Sequence, residues 1–437
     1  MPDLTKAEPI EIGRRHVAAA VIGNALEFYD FTVFTFFAVQ IGHAFFPSGP
    51  HGFVNSEFGS LMAALGTFGA GFIMRPIGGI IIGSYSDRAG RRPAMMLSFS
   101  LMGAAILALA FIPSYSVIGV GAPVLAVLAR LIQGFALGGE VGPTTAYLVE
   151  AAPANRRGLY ASWQGASQSV SALVGGAVGV ILAQIMAPDA LETWGWRIAF
   201  LIGSLTLPFG IILRRSLPET LHKADHLPDY EHQGFIKGLR DHARPIVLGI
   251  LVLAGGTIAT YVLNYMTTFA RNTLHMGASQ SFAATFVLGL FGMISGLIGG
   301  LLSDLYGRRM VMVWPRLLFL VSIYPLFLWI VSAHSTFALL GGTALLSVFS
   351  NISSAAFYVA FVESLPRRVR SGIFSTVYAS SIAVFGGTTQ LFITWLIYIT
   401  GNPLAPALYL MAATAVSIVA MWMMVESAPV RIAKETA

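Results

Sequence analysis

The sequence predicts an all-α membrane protein, with twelve transmembrane helices arranged as two six-helix pseudo-symmetric halves. Three observations carry that reading. Hydrophobic residues make up 56% of the 437-residue chain and charged residues only 11%, with a mean hydropathy of +0.74. A soluble domain carries about 25% charged residues, so there is more apolar surface here than a water-soluble core can absorb. The apolar residues fall in runs of about 20 or more, enough to cross a hydrocarbon core about 30 Å thick. Finally, a ten-residue loop motif returns half a chain later, the mark of a duplicated unit.

Between charged or Pro/Gly-rich breaks, the first six spans are 16–40, 57–85, 93–113, 121–151, 157–186 and 194–214. The second six are 245–271, 278–303, 310–331, 336–364, 370–399 and 404–425. Several exceed twenty residues and must tilt or protrude. This divides the chain into an N-terminal half, 1–214, a polar linker, 215–244, and a C-terminal half, 245–437. The head contains Asp3, Glu8 and Glu11, unlike the basic start of a signal peptide, so the first span is expected to stay as a helix.

Alternate loops carry the cations. Arg14 and Arg15 precede span 1, Arg88, Arg91 and Arg92 follow span 2, and Arg156 and Arg157 follow span 4. Arg308 and Arg309 follow span 8, and Arg367, Arg368 and Arg370 follow span 10, whereas the opposite loops hold only Arg197 and Arg271. The positive-inside rule then places both termini and the linker in the cytoplasm. One-sided topology accounts for the net charge of +6, and the cations form no nucleic-acid footprint. Cysteine is absent, which excludes disulfides, thiolate chemistry and Cys-based metal sites. No cofactor, metal or Walker motif is expected.

The repeated motif is Gly83-Ser-Tyr-Ser-Asp87-Arg88-Ala-Gly90-Arg91-Arg92. It returns as Gly300-Leu-Leu-Ser-Asp304-Leu-Tyr-Gly307-Arg308-Arg309, displaced by 217 residues (304 − 87). Glu150-Ala-Ala-Pro153 is echoed by Glu363-Ser-Leu-Pro366 at nearly the same displacement. Duplicated halves packed about an axis normal to the membrane place a substrate site between them near the midplane. With Arg130-x-x-Gln133-Gly134 on span 4, these motifs resemble the major facilitator superfamily. Gly23-Asn-Ala-Leu-Glu-Phe-Tyr-Asp30-Phe, Gly71-Phe-Ile-Met-Arg75-Pro-Ile-Gly and Gly138-Gly-Glu140 resemble its metabolite–proton symporters. Trp163-Gln164-Gly-Ala-Ser167-Gln168 and the Trp194-Gly-Trp-Arg197 stretch are most similar to the citrate–proton branch. The resemblance implies proton-coupled uptake of a carboxylate, citrate or a related tri- or dicarboxylate, by a monomer in the bacterial inner membrane. Shikimate, α-ketoglutarate, a zwitterion such as proline or betaine, or an exported drug are the alternatives within the fold. A membrane-embedded enzyme lacks support, since the spans show no nucleophile with a nearby base.

Charges inside spans are costly and are functional candidates by default. Asp30 and Arg130 each lie roughly 15 Å below the outer face, at 1.5 Å per residue, and can pair if spans 1 and 4 face each other. The resemblance implies that they do. Such a pair suits proton coupling, because a nearby guanidinium favours the charged carboxylate and burial without it favours the protonated one. The alternative is a static ion pair. Deeper, Glu27, Glu140 and Arg75 share a level and suggest a network around one proton, with Asn24 one turn further in. Span 5 presents Gln164, Ser167, Gln168 and Ser171 on one helical face. Span 7 adds Thr257, Tyr261, Asn264, Tyr265 and Thr268, and span 10 adds Ser347, Ser350, Asn351, Ser354 and Tyr358. These stripes are expected to line a cavity, with Gln164, Gln168, Tyr261, Asn264, Asn351 and Tyr358 joining Asn24, Arg75 and Arg130 at the substrate. Arg316, outside the family pattern, either snorkels to the cytoplasm or feeds charge to the anion path, and snorkelling is the expectation. In the loop motif, Gly83, Asp87, Arg88, Gly90, Arg91 and Arg92, with Asp304, Gly307, Arg308 and Arg309, are the gating candidates. Asp87 is expected to accept from donors at a helix N-terminus across the half-interface.

Overall fold

The computed structural model describes residues 14–50, 52–89, 91–138, 155–205, 243–365 and 370–428, together with 148–149, 152–153, 208 and 430. The side chains of 14–20, 26–27, 83–84, 86–89, 91–92, 94–95, 370–372 and 375 are not described. The expected linker, 215–244, lies almost wholly outside the described residues.

The first half runs α1 (Arg14–Phe36, resumed as Ala38–Phe45), α2 (Glu57–Ala89), α3 (Arg91–Phe111), α4 (Gly121–Leu137), α5 (Arg157–Ile185) and α6 (Trp196–Ser204). The second runs α7 (Ala243–Asn264), α8 (Ala278–Tyr306), α9 (Arg308–Ala333) and α10 (Thr336–Glu363). It ends with α11 (Arg370–Ser381, resumed as Gly387–Thr400) and α12 (Ala405–Met423). These helices fall on the twelve predicted spans. Eight described stretches are long and apolar enough to cross a membrane, and Met96–Phe111 and Gly121–Leu137 are shorter apolar helices. No strand occurs among the described residues, only an isolated bridge between Ser48 and Val54.

The burial pattern is that of a protein solvated by lipid. Large aliphatic side chains stand on the outside, Ile80 at 71% and Val321 at 72% exposure. Each would cost about 1.5–3 kcal/mol if left in water. Polar side chains turn inward, as with Asn24, Gln40, Gln133, Gln164 and Gln390. Where helices meet closely, glycine replaces side chains. A Cβ on Gly134 of α4 would lie 1.6 Å from the Gly71 carbonyl oxygen of α2, and one on Gly138 would lie 2.0 Å from that of Arg75. The two backbones are therefore in direct contact, which brings Arg75 and Arg130 to neighbouring positions. Gly289 of α8 meets Leu173 of α5 in the same way across the halves. Glycines of α8 thus serve close packing, as in membrane bundles generally.

Candidate functional site

A cavity lies between the halves and is walled by both. Phe31, Thr32 and Thr35 of α1 and Ser162, Gln168 and Ser169 of α5 form the first side. Thr257, Tyr261 and Asn264 of α7, Ser350, Asn351, Ser354 and Tyr358 of α10, and Tyr378 of α11 form the second. Five of the expected binding residues, Gln168, Tyr261, Asn264, Asn351 and Tyr358, therefore share one space. Gln168 Nε2 reaches the Tyr378 hydroxyl at 3.5 Å, tying α5 to α11 across the cavity. Tyr378 was not anticipated from the sequence, although Ser371, Ser375 and Ser381 share its helical spacing and were the signal that could have found it.

The span 5 stripe does not face the cavity as expected. Asn24 Nδ2 donates to Ser167 Oγ at 2.6 Å, and Gln164 Nε2 donates to Asn24 Oδ1 at 3.2 Å. Ser171 Oγ donates to the Ala25 carbonyl. Asn24, Gln164, Ser167 and Ser171 are thus spent on the α1–α5 contact, with Gln164 Oε1 finding no partner among the described residues, and Gln168 alone of the stripe lines the cavity. Buried amides take the nearest partner, and α1 is nearer than the cavity.

Asp30 and Arg130 do come together, but not directly. Arg130 Nη1 donates to Gln133 Oε1 at 2.5 Å, and Gln133 Nε2 donates to Asp30 Oδ2 at 2.6 Å. All three are buried, at 2% exposure or less. Among the described residues, Asp30 Oδ1 and the Nε and Nη2 of Arg130 have no hydrogen-bond partner. An amide can do this because it carries an acceptor and a donor, relaying between cation and anion. Gln133 was legible in the Arg130-x-x-Gln133 motif, where its spacing of one turn puts both side chains on one face.

Aromatic rings hold the cations. The Arg130 guanidinium lies 4.7 Å from the Phe31 ring centre and 4.5 Å from that of Phe34, and Arg75 lies 4.7 Å from Phe31 and 4.5 Å from Phe72. Phe31 lines the cavity, so it stands between both guanidiniums and whatever enters. Arg75 and Arg130 are thus behind the wall rather than in it. Glu27 and Glu140 lie outside the described side chains.

The halves also meet at both ends of the cavity. At the end bearing the repeated motif, Asp304 of α8 accepts from the Gly158 and Leu159 amides at 2.8 and 2.9 Å, capping the start of α5 in the other half. That is the geometry expected of Asp87. Gly83, Asp87, Arg88, Gly90, Arg91 and Arg92 lie outside the described side chains or backbone, and the second copy of the motif makes the contact. Arg308 Nη1 donates to Asp304 at 2.6 Å and its Nε to Glu363 at 3.2 Å, while Arg157 approaches Glu363 at 3.7 Å. The backbone amides of Arg308 and Arg309 donate to Glu426. Gly307 joins α8 to α9 at φ +102°, a conformation that L side chains rarely adopt.

At the opposite end, Arg271 of the second half pairs with Glu192 of the first, and Phe58 stacks on Tyr398 at 3.9 Å. His43 Nε2 lies 2.8 Å from Glu57 and its Nδ1 3.5 Å from Glu192. The Glu192 carboxylate, then Glu57, hold the His43 pKa above its ordinary 6.5 against partial burial. Only Arg271 among them was marked in the sequence, as one of two cations on that side, and none was expected to act at a site.

Residues 20–304 match the Major Facilitator Superfamily. The chain is 38% identical to a citrate-proton symporter of Klebsiella pneumoniae over 89% of this chain and 86% of the relative. It is 37% identical to a citrate-proton symporter of Salmonella typhi, over 92% of each. It is 34% identical to the alpha-ketoglutarate permease of Escherichia coli (strain K12), over 86% of this chain and 85% of the relative. A crystal structure of a D-xylose-proton symporter superposes with a TM-score of 0.75 at 19% identity, covering 94% of this chain and 98% of that one.

Two outcomes are expected from this geometry. Asp304→Ala removes a helix cap worth about 0.5–2 kcal/mol, a factor of up to about 30 in the closure equilibrium. With no native cysteine, Thr257→Cys reports access to the cavity, and its labelling from the motif side should rise correspondingly. Unchanged labelling would rule out a closing role for Asp304. At the opposite end, a raised histidine pKa means that the His43 contribution is full below about pH 6.5 and lost as pH rises through the raised value. His43, Glu57 and Glu192 all lie in the first half, so His43 acts through Glu192, the acceptor of Arg271: labelling of Thr257→Cys from that side should increase as pH rises above about 6.5, and His43→Gln should flatten the profile. A pH-independent wild type would contradict this.

Proposed function

The chain belongs to the Major Facilitator Superfamily, and from that premise we propose that it takes up citrate, or a close tri- or dicarboxylate, together with protons by alternating access. It is a carrier rather than an enzyme. The observation that carries the proton-coupled reading is the buried Asp30–Gln133–Arg130 chain set one ring behind the cavity wall. Relatives named as citrate-proton symporters, matched over most of both chains, support the substrate.

Citrate brings about three negative charges into a medium where each unpaired charge costs several kcal/mol. Gln168, Tyr261, Asn264, Asn351 and Tyr358 offer donors from both halves, while Arg75 and Arg130 supply positive potential through Phe31. Phe31 has its ring face on both guanidiniums, so displacing it is the step that admits a carboxylate to them. A carboxylate drawing Arg130 away from Gln133 leaves Asp30 without its cation and favours a proton there. A proton on Asp30 also removes repulsion between that group and the anion. Glu27 and Glu140 join the same proton path in this reading. The loop motif, with Gly83, Asp87, Arg88, Gly90, Arg91 and Arg92 mirrored by Asp304, Gly307, Arg308 and Arg309, closes the cytoplasmic end. Halves 1–214 and 245–437 rock about the site, joined by 215–244, with both termini cytoplasmic. The carrier works as a monomer in the bacterial inner membrane.

In proteoliposomes under an inward proton gradient, the wild type should concentrate labelled citrate. Asp30→Asn should bring citrate only to equilibrium while keeping citrate–citrate exchange. If the variant still concentrates citrate, Asp30 is not the coupling group. If the wild type concentrates betaine and not citrate, the carboxylate assignment falls and the carrier assignment stands.

A further inference from the structure

Arg316 departs from expectation. It is fully buried on α9 and does not snorkel. Its Nη1 donates to Ser350 Oγ at 3.4 Å, and its Nε and Nη2 have no hydrogen-bond partner among the described residues. The Phe319 ring, 5.1 Å away, is its remaining support, and no carboxylate pairs with it among the described residues. A guanidinium is always charged and offers five donors, so this is a buried cation with most of its donors idle. Elsewhere in the second half a buried arginine is neutralised: Arg308, equally buried, holds Asp304 and Glu363.

Packing does not require the charge. The repeat-related position on α3, 217 residues earlier (316 − 217), is the uncharged, buried Phe99. Nor does Arg316 hold α9 to α10 by itself, since Ser353 Oγ already bonds the Met312 carbonyl at 2.7 Å one turn away. What is particular to Arg316 is its direction. Ser350 and its neighbours Asn351 and Ser354 line the cavity, so the guanidinium sits one hydroxyl behind the second-half wall.

We propose that Arg316, reaching from α9 to the cavity-lining Ser350, is the second-half cation that holds one carboxylate of the transported anion. This rests on the carboxylate reading above. Arg130 and Arg75 lie behind the first-half wall at Phe31 and Arg316 behind the opposite one at Ser350, so an anion with carboxylates at both ends bridges the halves. Ser350 needs only to rotate for a carboxylate to take its place on Nη1, with Nε or Nη2 completing the two-point contact that guanidinium makes with carboxylates. A substrate that bridges cations on both halves draws them together, which links binding to closure. Monocarboxylates cannot do this.

The test is calorimetric binding of citrate, tricarballylate and the monocarboxylate butyrate to purified protein, with melting of the unliganded protein alongside. Arg316→Gln should weaken citrate binding at least tenfold, and it should shrink the preference for tricarboxylates over butyrate. Arg316→Lys should recover part of the loss. Because the variant removes an uncompensated buried charge, its unliganded melting temperature should stay level or rise. Citrate binding unchanged in Arg316→Gln would overturn the assignment while leaving the carboxylate reading intact. So would a lower melting temperature with all three ligands weakened equally, the pattern of a merely structural arginine. A wild type that binds none of the three acids would remove the carboxylate reading, and the Arg316 assignment with it.

Discussion

The structure depends on keeping an acid and a base buried near each other without letting them collapse into a direct ion pair. Gln133 does this by accepting from Arg130 and donating to Asp30. A direct buried pair would be tight and hard to separate, because attraction at low dielectric is strong. The amide link leaves Asp30 Oδ1 and two Arg130 nitrogens open. The groups around it serve that arrangement. Gly71 and Gly134 let α2 and α4 touch, so that Arg75 and Arg130 share the Phe31 ring. The rings of Phe34, Phe68 and Phe72 complete a support that is apolar enough to exclude water and polarisable enough to hold cations.

Closure at the two ends uses different chemistry. At the motif end, Asp304 caps a helix of the other half, a geometry that tolerates little displacement because two backbone amides must stay aligned. At the opposite end the contacts are side chain to side chain, Arg271 on Glu192 and Phe58 on Tyr398, and His43 adds a proton-sensitive element. In the proposed proton-coupled cycle, with the motif end cytoplasmic, that side meets external acid first. The two locks can therefore respond to different conditions while the cavity between them keeps one set of donors.

Much of this was legible in the sequence. Hydrophobic run length set the twelve spans, and depth counted from span ends placed Asp30 level with Arg130. Of the α10 stripe, Ser350, Asn351, Ser354 and Tyr358 line the cavity, while Ser347 donates instead to the Leu288 carbonyl of α8. Where the reading diverged, the cause was choice of partner. A polar stripe shows that a helix face avoids lipid, but not whether it faces water or another helix. Asn24 settled that for Gln164 and Ser167 by offering both a donor and an acceptor. Arg316 near a helix end looks free to snorkel, and only the packing of α9 on α10 shows that it points inward. The interruptions of α1 at Phe37 and of α11 at Ile382–Gly386 left no mark in hydropathy, which measures apolarity rather than backbone hydrogen bonding.

The account turns on Asp30 taking up a proton when the anion binds. Adding citrate to purified protein in weak buffer, with a pH indicator, counts protons bound beyond those that citrate itself exchanges. The account predicts net proton uptake by the wild type that disappears in Asp30→Asn under conditions where the variant still binds citrate. Equal uptake by the two proteins would contradict it.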